Sequence, residues 1–407
     1  MRAELYLPSE VGGNVMSPTT DVDRFTQDGA PSEGASTAGP GHRARRTVGL
    51  GAGCLIALVV VSAGVGLGLP RLGKEGGGLL AWLGVLAAVI GVVAAGWCLV
   101  QLLHGMRRRW WVLAVPAFLM AVFLALWTVG QGVAASFPAR SALGTRTPAD
   151  VGLRYESVTL RTPDGVDLAA WWVPGENQAA VVLLPGSGST RTDVLAQAAV
   201  LGSHGYGVLL LDPRGHGASG GRGMDFGWYG ERDVTAAVDF LAGRPGTTDR
   251  IGVVGLSMGG EVAIGAAGAD PRVRAVVAEG ATARVAADKG YLAAYGVRGQ
   301  IQRGIDWGTY AVASLLSDAP EPMPLGDSVV DAQADGTPTP MLLITAGRVD
   351  TERLAAEFIA RAAPDAVEVW TVPGAGHTAG LQVAPDAWKR RVLGFLDASL
   401  GPGPGRG

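Results

Sequence analysis

One serine lies between glycines in a setting that is typical of a nucleophile. Residues 255–260 read Gly-Leu-Ser-Met-Gly-Gly, follow the apolar run 251–254 and open a helical pattern. In the G-x-S-x-G pattern, a serine between a strand and a helix lies on a sharp, strained turn that exposes its hydroxyl. Because this turn leaves little room for side chains, the neighbouring positions are glycines. The spacing predicts that Ser257 is a nucleophile for acyl transfer.

A histidine late in the chain is the candidate base for this serine. A serine hydroxyl is a weak nucleophile at neutral pH and needs an adjacent base. Among the five histidines, His377 lies in a loop just after the last predicted strand, 367–372. Loops at the carboxyl ends of parallel strands are where such sites gather. We predict that His377 is the base. His216 is the alternative, and its glycine-flanked loop favours a structural role.

The base also needs a carboxylate that fixes its tautomer and stabilises the imidazolium. Asp350 follows the predicted strand 341–345 and precedes a helix, which gives the chain order serine, acid, histidine that is typical of such enzymes. An N-cap of that helix is the alternative role of Asp350. Glu279, after the strand 273–278, is the competing acid. We predict that Asp350 is the acid of the triad.

Two backbone donors are expected to stabilise the oxyanion that forms during acyl transfer. The first is the amide of Met258, which directly follows the nucleophile. The second is the amide of Ser187, in the glycine-containing loop 185–189 after the strand 180–184. An ordinary tight turn is the alternative for this loop. The predicted oxyanion hole is therefore formed by Met258 and Ser187.

The sequence also offers candidate substrate contacts. Gly186 lies in the predicted oxyanion loop, and the aromatic residues Phe226, Trp228 and Trp307 are of a type that lines acyl pockets. Core packing is the alternative for each aromatic side chain. Such a site needs neither a metal nor an organic cofactor. The two cysteines, Cys54 and Cys98, lie in apolar runs and do not form a thiolate metal site or a disulfide framework.

The elements that carry these residues alternate between strand and helix patterns. Two runs that flank Asp164-Gly165 indicate a hairpin. This alternation predicts an α/β fold with a mostly parallel, doubly wound sheet over 151–400. The segment 281–338 interrupts the rhythm and is long for a connection. The predicted strands are 155–162, 166–173, 180–184, 207–211, 251–255, 273–278, 341–345 and 367–372. The predicted helices are 190–203, 231–242, 258–268, 351–362 and 386–399.

These motifs together resemble the α/β-hydrolase fold family, in its bacterial serine-aminopeptidase-like and dienelactone-hydrolase-like branch. They are the run Asp-Pro-Arg-Gly-His-Gly at 212–217, the serine turn at 255–260, Gly347-x-x-Asp350 and Gly376-His377. The resemblance implies that Ser257 is nucleophile, Asp350 acid and His377 base, and that 281–338 is a substrate-covering cap. The family's oxyanion loop often begins His-Gly, whereas this chain has Pro185-Gly186.

Composition and the distribution of charged residues predict a membrane part before the α/β segment. The chain has 407 residues, 33 basic and 36 acidic residues, a net charge of −3, and 17% charged residues. This balance argues against nucleic-acid binding. Three runs without charged residues, 48–69, 79–103 and 110–136, are each long enough to cross a bilayer. They predict a membrane segment over 47–137. We expect a disordered tail at 1–46, a linker at 138–150 and a flexible end at 401–407.

The positive residues near these spans predict their orientation. Six arginines (Arg43, Arg45, Arg46, Arg107, Arg108, Arg109) fall on one side. The other side has four basic residues: Arg71, Lys74, Arg140 and Arg146. The excess predicts a multi-pass protein of the cell membrane with a cytoplasmic N-terminus and an extracytoplasmic α/β domain.

The residues therefore predict a membrane-anchored serine hydrolase that cleaves an ester, thioester or amide through an acyl-enzyme. Its expected partners are a small-molecule, peptide or lipid-like acyl substrate and the membrane. Two alternatives stay open: an acyltransferase with the same triad, and a non-catalytic binding domain on this fold.

Overall fold

The computed structural model describes residues 40–244, 249–334 and 337–401. The described residues from Thr47 onward form one compact unit. The first helix, α1, begins at Pro40, inside the segment for which a disordered tail is expected. Residues 1–39 of that tail, and residues 402–407 of the expected flexible end, lie outside the described part of the chain.

Three long apolar helices precede the α/β part. The stretches Thr47–Glu75, Leu79–His104 and Arg108–Ser136 are long and apolar enough to cross a membrane. The first two pack closely because glycines face each other: a Cβ on Gly84 would lie 2.6 Å from the backbone nitrogen of Gly68. Such close approach through small residues is typical of membrane helix pairs. The helices are α1 (Pro40–Glu75), α2 (Leu79–His104), α3 (Trp111–Ala125) and α4 (Gln131–Ser136); a π-helical turn, Leu126–Gly130, joins the last two.

Eight strands form a single sheet in the order β1-β2-β4-β3-β5-β6-β7-β8. The first two form an antiparallel hairpin, β2 pairs antiparallel with β4, and all other neighbours are parallel. The predicted mostly parallel α/β sheet is confirmed. The strands are β1 Glu156–Arg161, β2 Asp167–Val173, β3 Ala180–Leu184, β4 Gly207–Leu211, β5 Ile251–Leu256, β6 Val273–Glu279, β7 Met341–Ala346 and β8 Val367–Val372.

Helices cover both faces of the sheet, so the central strands are apolar on both sides. On one face, α6, α7 and α10 contribute to a core with β3, β5 and β7. On the other face, α5 and α12 pack against the alternate residues of the same strands. This double cover is why the strands are continuous apolar runs without polar alternation. These helices are α5 Leu195–Ser203, α6 Gly230–Ala242, α7 Met258–Ala269, α10 Asp350–Ala360 and α12 Pro385–Leu400.

A helical insertion between β6 and β7 lies against the end of the third apolar stretch. It contains a 3₁₀ helix (Ala286–Tyr295), α8 (Gly296–Leu316) and α9 (Leu325–Asp331). A Cβ on Gly132 would lie 2.7 Å from Val312, so α4 and α8 are in close contact. Shorter elements complete the chain: 3₁₀ turns at Arg108–Trp110, Pro148–Val151 and Arg191–Val194, and α11 at Gly380–Val383.

Candidate active site

Ser257 lies on the turn between β5 and α7, and its backbone is strained. Its φ of 52° and ψ of −121° fall in a region that non-glycine residues rarely adopt. Its amide donates a hydrogen bond of 2.7 Å to the carbonyl of Glu279. A Cβ on Gly255 would lie 2.1 Å from the carbonyl oxygen of Gly259, and one on Gly259 would lie 2.6 Å from that of Leu184. The glycines of the pattern are therefore required by backbone packing.

His377 lies in the loop after β8, beside this serine. Its Nε2 is 2.9 Å from Oγ of Ser257. The imidazole rests against Gly280, which has a φ of +75°, and a Cβ there would lie 2.9 Å from Cε1 of the ring. The side chain is 50% exposed, so the open face of the ring is accessible from solvent. The structure thus brings together the two residues that the sequence proposes as nucleophile and base.

A buried glutamate holds the other nitrogen of this ring. Oε1 of Glu352 is 2.7 Å from Nδ1 of His377, and its Oε2 accepts a hydrogen bond of 2.8 Å from the amide of Ala346. The Glu352 carboxylate favours the imidazolium and raises the pKa of His377 above its ordinary value, although partial burial of the ring opposes the shift. Ser257, His377 and Glu352 form a continuous hydrogen-bonded chain.

The prediction that Asp350 is this acid is wrong. Asp350 is the first residue of α10 and its side chain is exposed. Glu352 is two residues further on, about 200° around the helix, so it faces the opposite side and its longer side chain reaches the histidine. The sequence contains a signal for it. Glu352 shares the buried face of α10 with Ala355, Ala356 and Ile359, and a glutamate in such an apolar stripe requires a partner.

Glu279 and His216, the alternatives for the acid and the base, have other contacts. Glu279, the competing acid, is buried and accepts hydrogen bonds from the amide of Gly380 (2.7 Å) and the indole of Trp388 (2.9 Å). Burial raises the pKa of this carboxyl group. Because Gly380 follows His377 by three residues, Glu279 supports the histidine loop without contacting the ring. His216 is buried and its Nδ1 lies 3.0 Å from the carbonyl of Arg214, within its own loop.

The loop after β3 lies directly beside the serine. A Cβ on Gly186 would lie 3.2 Å from Cβ of Ser257, so only glycine lets the loop approach so closely. Among the described residues, neither the amide of Ser187 nor that of Met258 has a hydrogen-bond partner in the protein. Both amides are therefore free to bind an oxyanion.

Residues at or just beyond the ends of the first and third apolar stretches hold this loop from the other side. The hydroxyl of Ser141, five residues after α4, donates a hydrogen bond of 2.6 Å to the carbonyl of Gly188. The ammonium group of Lys74, at the end of α1, lies against Gly188. The amide of Arg140 donates to the carboxylate of Glu75 at 3.0 Å. The ends of the first and third apolar helices are thus joined to each other and to the loop.

A cleft of about 330 Å³ lies between the end of the third apolar stretch, the loop after β3 and the helical insertion. Phe226 lines it, as the sequence analysis suggests for a substrate contact. Burial raises the pKa of Asp225 in the same wall. The residues that line the cleft are Trp127, Gln131, Ala134, Ala135, Ser187, Asp225, Phe226, Lys289, Asp306, Thr309 and Tyr310.

The other two predicted aromatic contacts, Trp228 and Trp307, do not line this cleft. Trp228 is 2% exposed, packs with Met224 and Tyr229, and donates its indole N–H to the carbonyl of Arg284 at 2.8 Å. It is a buried residue of the packed cluster and is not among the residues that line this cleft. Trp307 is on α8, 65% exposed, and is not among the residues that line the cleft. No group of three or more His, Cys, Asp or Glu side chains in the described ranges is placed to hold a metal ion.

Comparison with known proteins agrees with this architecture. Residues 175–320 match the family described as serine aminopeptidase, S33. The solved Pyrococcus furiosus esterase Pf2001 is 27% identical, with a TM-score of 0.53, and the match covers 65% of this chain and 98% of the esterase. Residues 151–400 therefore have the α/β-hydrolase fold, as the sequence predicts.

Curated relatives match over shorter stretches. The thiohydrolase aneE of Aspergillus aculeatus is 38% identical over 129 residues, 30% of this chain and 40% of that protein. The polyketide transferase grgF of a Penicillium species is 32% identical over 131 residues, 31% of this chain and 45% of that protein. The chain thus spans less than half the length of these two relatives.

Proposed function

We propose that the protein is a membrane-anchored serine hydrolase that cleaves an ester, thioester or amide bond. The observation that carries the proposal is the hydrogen-bonded chain from Ser257 through His377 to Glu352. Such a chain activates a serine hydroxyl, and the buried acid keeps the ring in the tautomer that accepts a proton. The match to a serine aminopeptidase family and to an esterase structure supports the same class.

The first half of the reaction forms an acyl-enzyme. Oγ of Ser257 attacks the substrate carbonyl carbon while Nε2 of His377 takes the hydroxyl proton. The carbonyl oxygen becomes an oxyanion, which the amides of Met258 and Ser187 stabilise; each donor contributes about 3–4 kcal/mol in such sites. The tetrahedral intermediate collapses, the bond to the leaving alcohol, thiol or amine breaks, and His377 returns the proton to the leaving group.

The second half regenerates the enzyme. Water enters, His377 takes one of its protons, and the resulting hydroxide attacks the acyl carbon. When the bond to Oγ breaks, the proton on His377 passes to Ser257 and the acid product leaves. Throughout, the carboxylate of Glu352 stabilises the transient imidazolium without taking its proton. These steps use only the substrate, water and the residues named above.

We propose that the three apolar stretches anchor this domain in the cell membrane. Their length and composition support the proposal, and the excess of arginine before the first stretch and between the second and third favours an extracytoplasmic active site. Reporter fusions after residue 400 test the orientation. Activity of a periplasmic-type reporter is the expected result, and activity of a cytoplasmic reporter would contradict it.

Labelling with a fluorescent fluorophosphonate tests the serine. The full chain in detergent or nanodiscs is expected to be labelled, and Ser257→Ala is expected to lose the label and all ester turnover. Ser399→Ala is the matched control, because Ser399 lies at the end of α12 and its hydroxyl bonds only within the helix. A folded Ser257→Ala protein that still turns over esters would refute the mechanism.

Acyl transfer to an alcohol or amine is the second candidate function. It is favoured by the similarity to the transferase grgF, and the same residues would carry it, with an acceptor in place of water. Product analysis with and without candidate acceptors separates the two functions. Free acid as the main product in the presence of acceptor alcohols supports hydrolysis, and a new ester as the main product supports transfer.

A further inference from the structure

The cleft beside the active site is shared between the membrane part and the cap. The end of the third apolar stretch supplies Trp127 and Gln131, the loop after β3 supplies Ser187, and the cap supplies Lys289 and Asp306. The cleft therefore extends from the third helix to Ser187, whose amide is proposed to bind the oxyanion.

The cleft lies near the end of the third apolar stretch. About 20 residues cross the hydrocarbon core, so a span that starts at Trp111 ends near Gly130. Trp127 is exposed one turn before this point, and tryptophan is enriched at the boundary between lipid and water. Gln131 is the first polar side chain after it. Both residues line the cleft, so the cleft opens at the interface.

The cap helix α8 points toward the same interface. Gly308 lies against Thr128 and Val312 against Gly132, so both helices run in the same direction where they touch. The half of α8 before Gly308 therefore extends to the membrane side of the contact. It exposes Val297 and Ile301, which are 78% and 62% accessible.

Charged residues flank this apolar stripe. Arg298 and Arg303 are on the same half of α8 and suit the headgroup layer. Exposed apolar residues with basic neighbours suit the boundary between acyl chains and headgroups. Solvent would leave this stripe uncovered, whereas the acyl-chain boundary of a bilayer covers it.

We propose that the substrate is a membrane-resident acyl lipid that enters this cleft sideways from the bilayer, past Trp127 and beside the contact of α8 with the third helix. The inference rests on the proposed serine hydrolase and its anchor. The acyl chain stays on the membrane side, against Trp127. The polar head faces Lys289 and Asp306, whose charged atoms are 4.0 Å apart in the cleft wall. The scissile carbonyl then meets Ser187 and Ser257.

The test compares two substrates of the same fluorophore with the full chain in phosphatidylcholine nanodiscs. 4-Methylumbelliferyl palmitate resides in the bilayer, and 4-methylumbelliferyl butyrate reaches the site from water. Ile301→Glu places a charge on the half of α8 that faces the membrane. Leu315→Glu is the matched control, since Leu315 is also exposed on α8 but lies beyond Val312, on the far side of the contact.

Ile301→Glu is expected to lower turnover of the palmitate at least tenfold and to leave butyrate turnover within twofold. Leu315→Glu is expected to change neither rate. Fluorophosphonate labelling of each variant shows that the fold and Ser257 are intact. Equal rates for Ile301→Glu and the unchanged protein on the palmitate would overturn lateral entry. A similar loss with both esters, or a labelled protein that cleaves only the butyrate, would overturn it too.

Labelling and butyrate turnover of the unchanged protein separate a failure of lateral entry from a failure of the proposed function. If the unchanged protein is not labelled by the fluorophosphonate and cleaves neither ester, the serine hydrolase mechanism itself fails, and lateral entry fails with it. Labelling together with butyrate turnover keeps the mechanism, so the palmitate result then decides lateral entry alone.

Discussion

The turn that carries Ser257 and the loop that carries Ser187 lie side by side, yet different parts of the molecule hold them. The turn is enclosed by the sheet: it bonds to β6, and its glycines touch the backbone at the end of β3. The loop is bound instead by Lys74, at the end of α1, and by Ser141, five residues after α4.

This difference separates two tasks of the site. The sheet fixes the reactive side chains, because Ser257, Glu352 and His377 all follow strands of one rigid layer. The ends of the apolar stretches contact the loop whose Ser187 amide is proposed to bind the oxyanion. Changes in the sheet are therefore expected to abolish activity or folding, and changes in the anchor contacts to lower the rate while the fold stays intact.

The largest effect is expected for Glu352, the acid that bonds to His377. Glu352→Gln keeps the shape but removes the charge that stabilises the imidazolium, and we expect kcat to fall about 10³–10⁴-fold, as for the corresponding change in a serine protease. Asp350→Asn, two residues away on the exposed side of α10, is expected to stay within about twofold. Steady-state kinetics with a soluble ester measure both, and the reverse ranking would return the role to Asp350.

The next effect concerns stability of the turn. Gly259→Ala places a methyl group 2.6 Å from two backbone carbonyls, and we expect it to lower the free energy of unfolding by about 2–3 kcal/mol. Gly394→Ala, at an exposed position of α12 with open space around it, is expected to raise it by about 0.5–1 kcal/mol. Thermal unfolding measures both. Equal stabilities would show that the turn is not held by packing.

A smaller effect is expected at the membrane-held loop. Ser141→Ala removes one hydrogen bond to Gly188, worth about 1 kcal/mol, so we expect the melting temperature to fall by about 2–4 °C and, because the loop is less firmly held, kcat to fall about fivefold. Ser399→Ala removes a similar bond within α12 and is expected to lower the melting temperature to the same extent and to leave kcat unchanged. If Ser141→Ala lowered stability and left kcat unchanged, the contact would serve folding alone.

The smallest effect is a shift in pH dependence. Glu352 raises the pKa of His377, and only the neutral ring accepts the serine proton, so activity is expected to rise with pH through this raised value. Without the carboxylate the imidazolium loses its partner, so the pKa of His377 falls. In Glu352→Gln the pH at which the residual activity rises is therefore expected to be lower than in the unchanged protein. Profiles of kcat/KM against pH measure the shift. A rise at higher pH in the variant would contradict this electrostatic role.

Local patterns in the sequence predict the sheet well. All eight strands lie where apolar runs and turn residues predict them, because strands covered on both faces are continuous apolar runs. The Ser257 turn is equally local, since its glycines and the strand before it are adjacent in the chain. His377 follows from its position after the last strand.

The acid and the aromatic contacts depend on distant parts of the chain. The choice between Asp350 and Glu352 depends on which side of α10 faces His377, and this is set by packing against the sheet. Trp228 and Phe226 are two residues apart, but only the second reaches the cleft. The cleft itself is formed by the third helix and the cap, which are more than 150 residues apart.

The adjacent residues Lys74 and Glu75 have a consequence for how the protein meets its lipid environment. Lys74 lies against the loop of Ser187, and Glu75 accepts a hydrogen bond from the amide of Arg140, four residues after α4. A bilayer thinner or thicker than the helices makes them tilt, and this tilt would move the loop relative to Ser257. We therefore expect turnover to vary with the acyl length of the host lipid, with an optimum where thickness matches the helices.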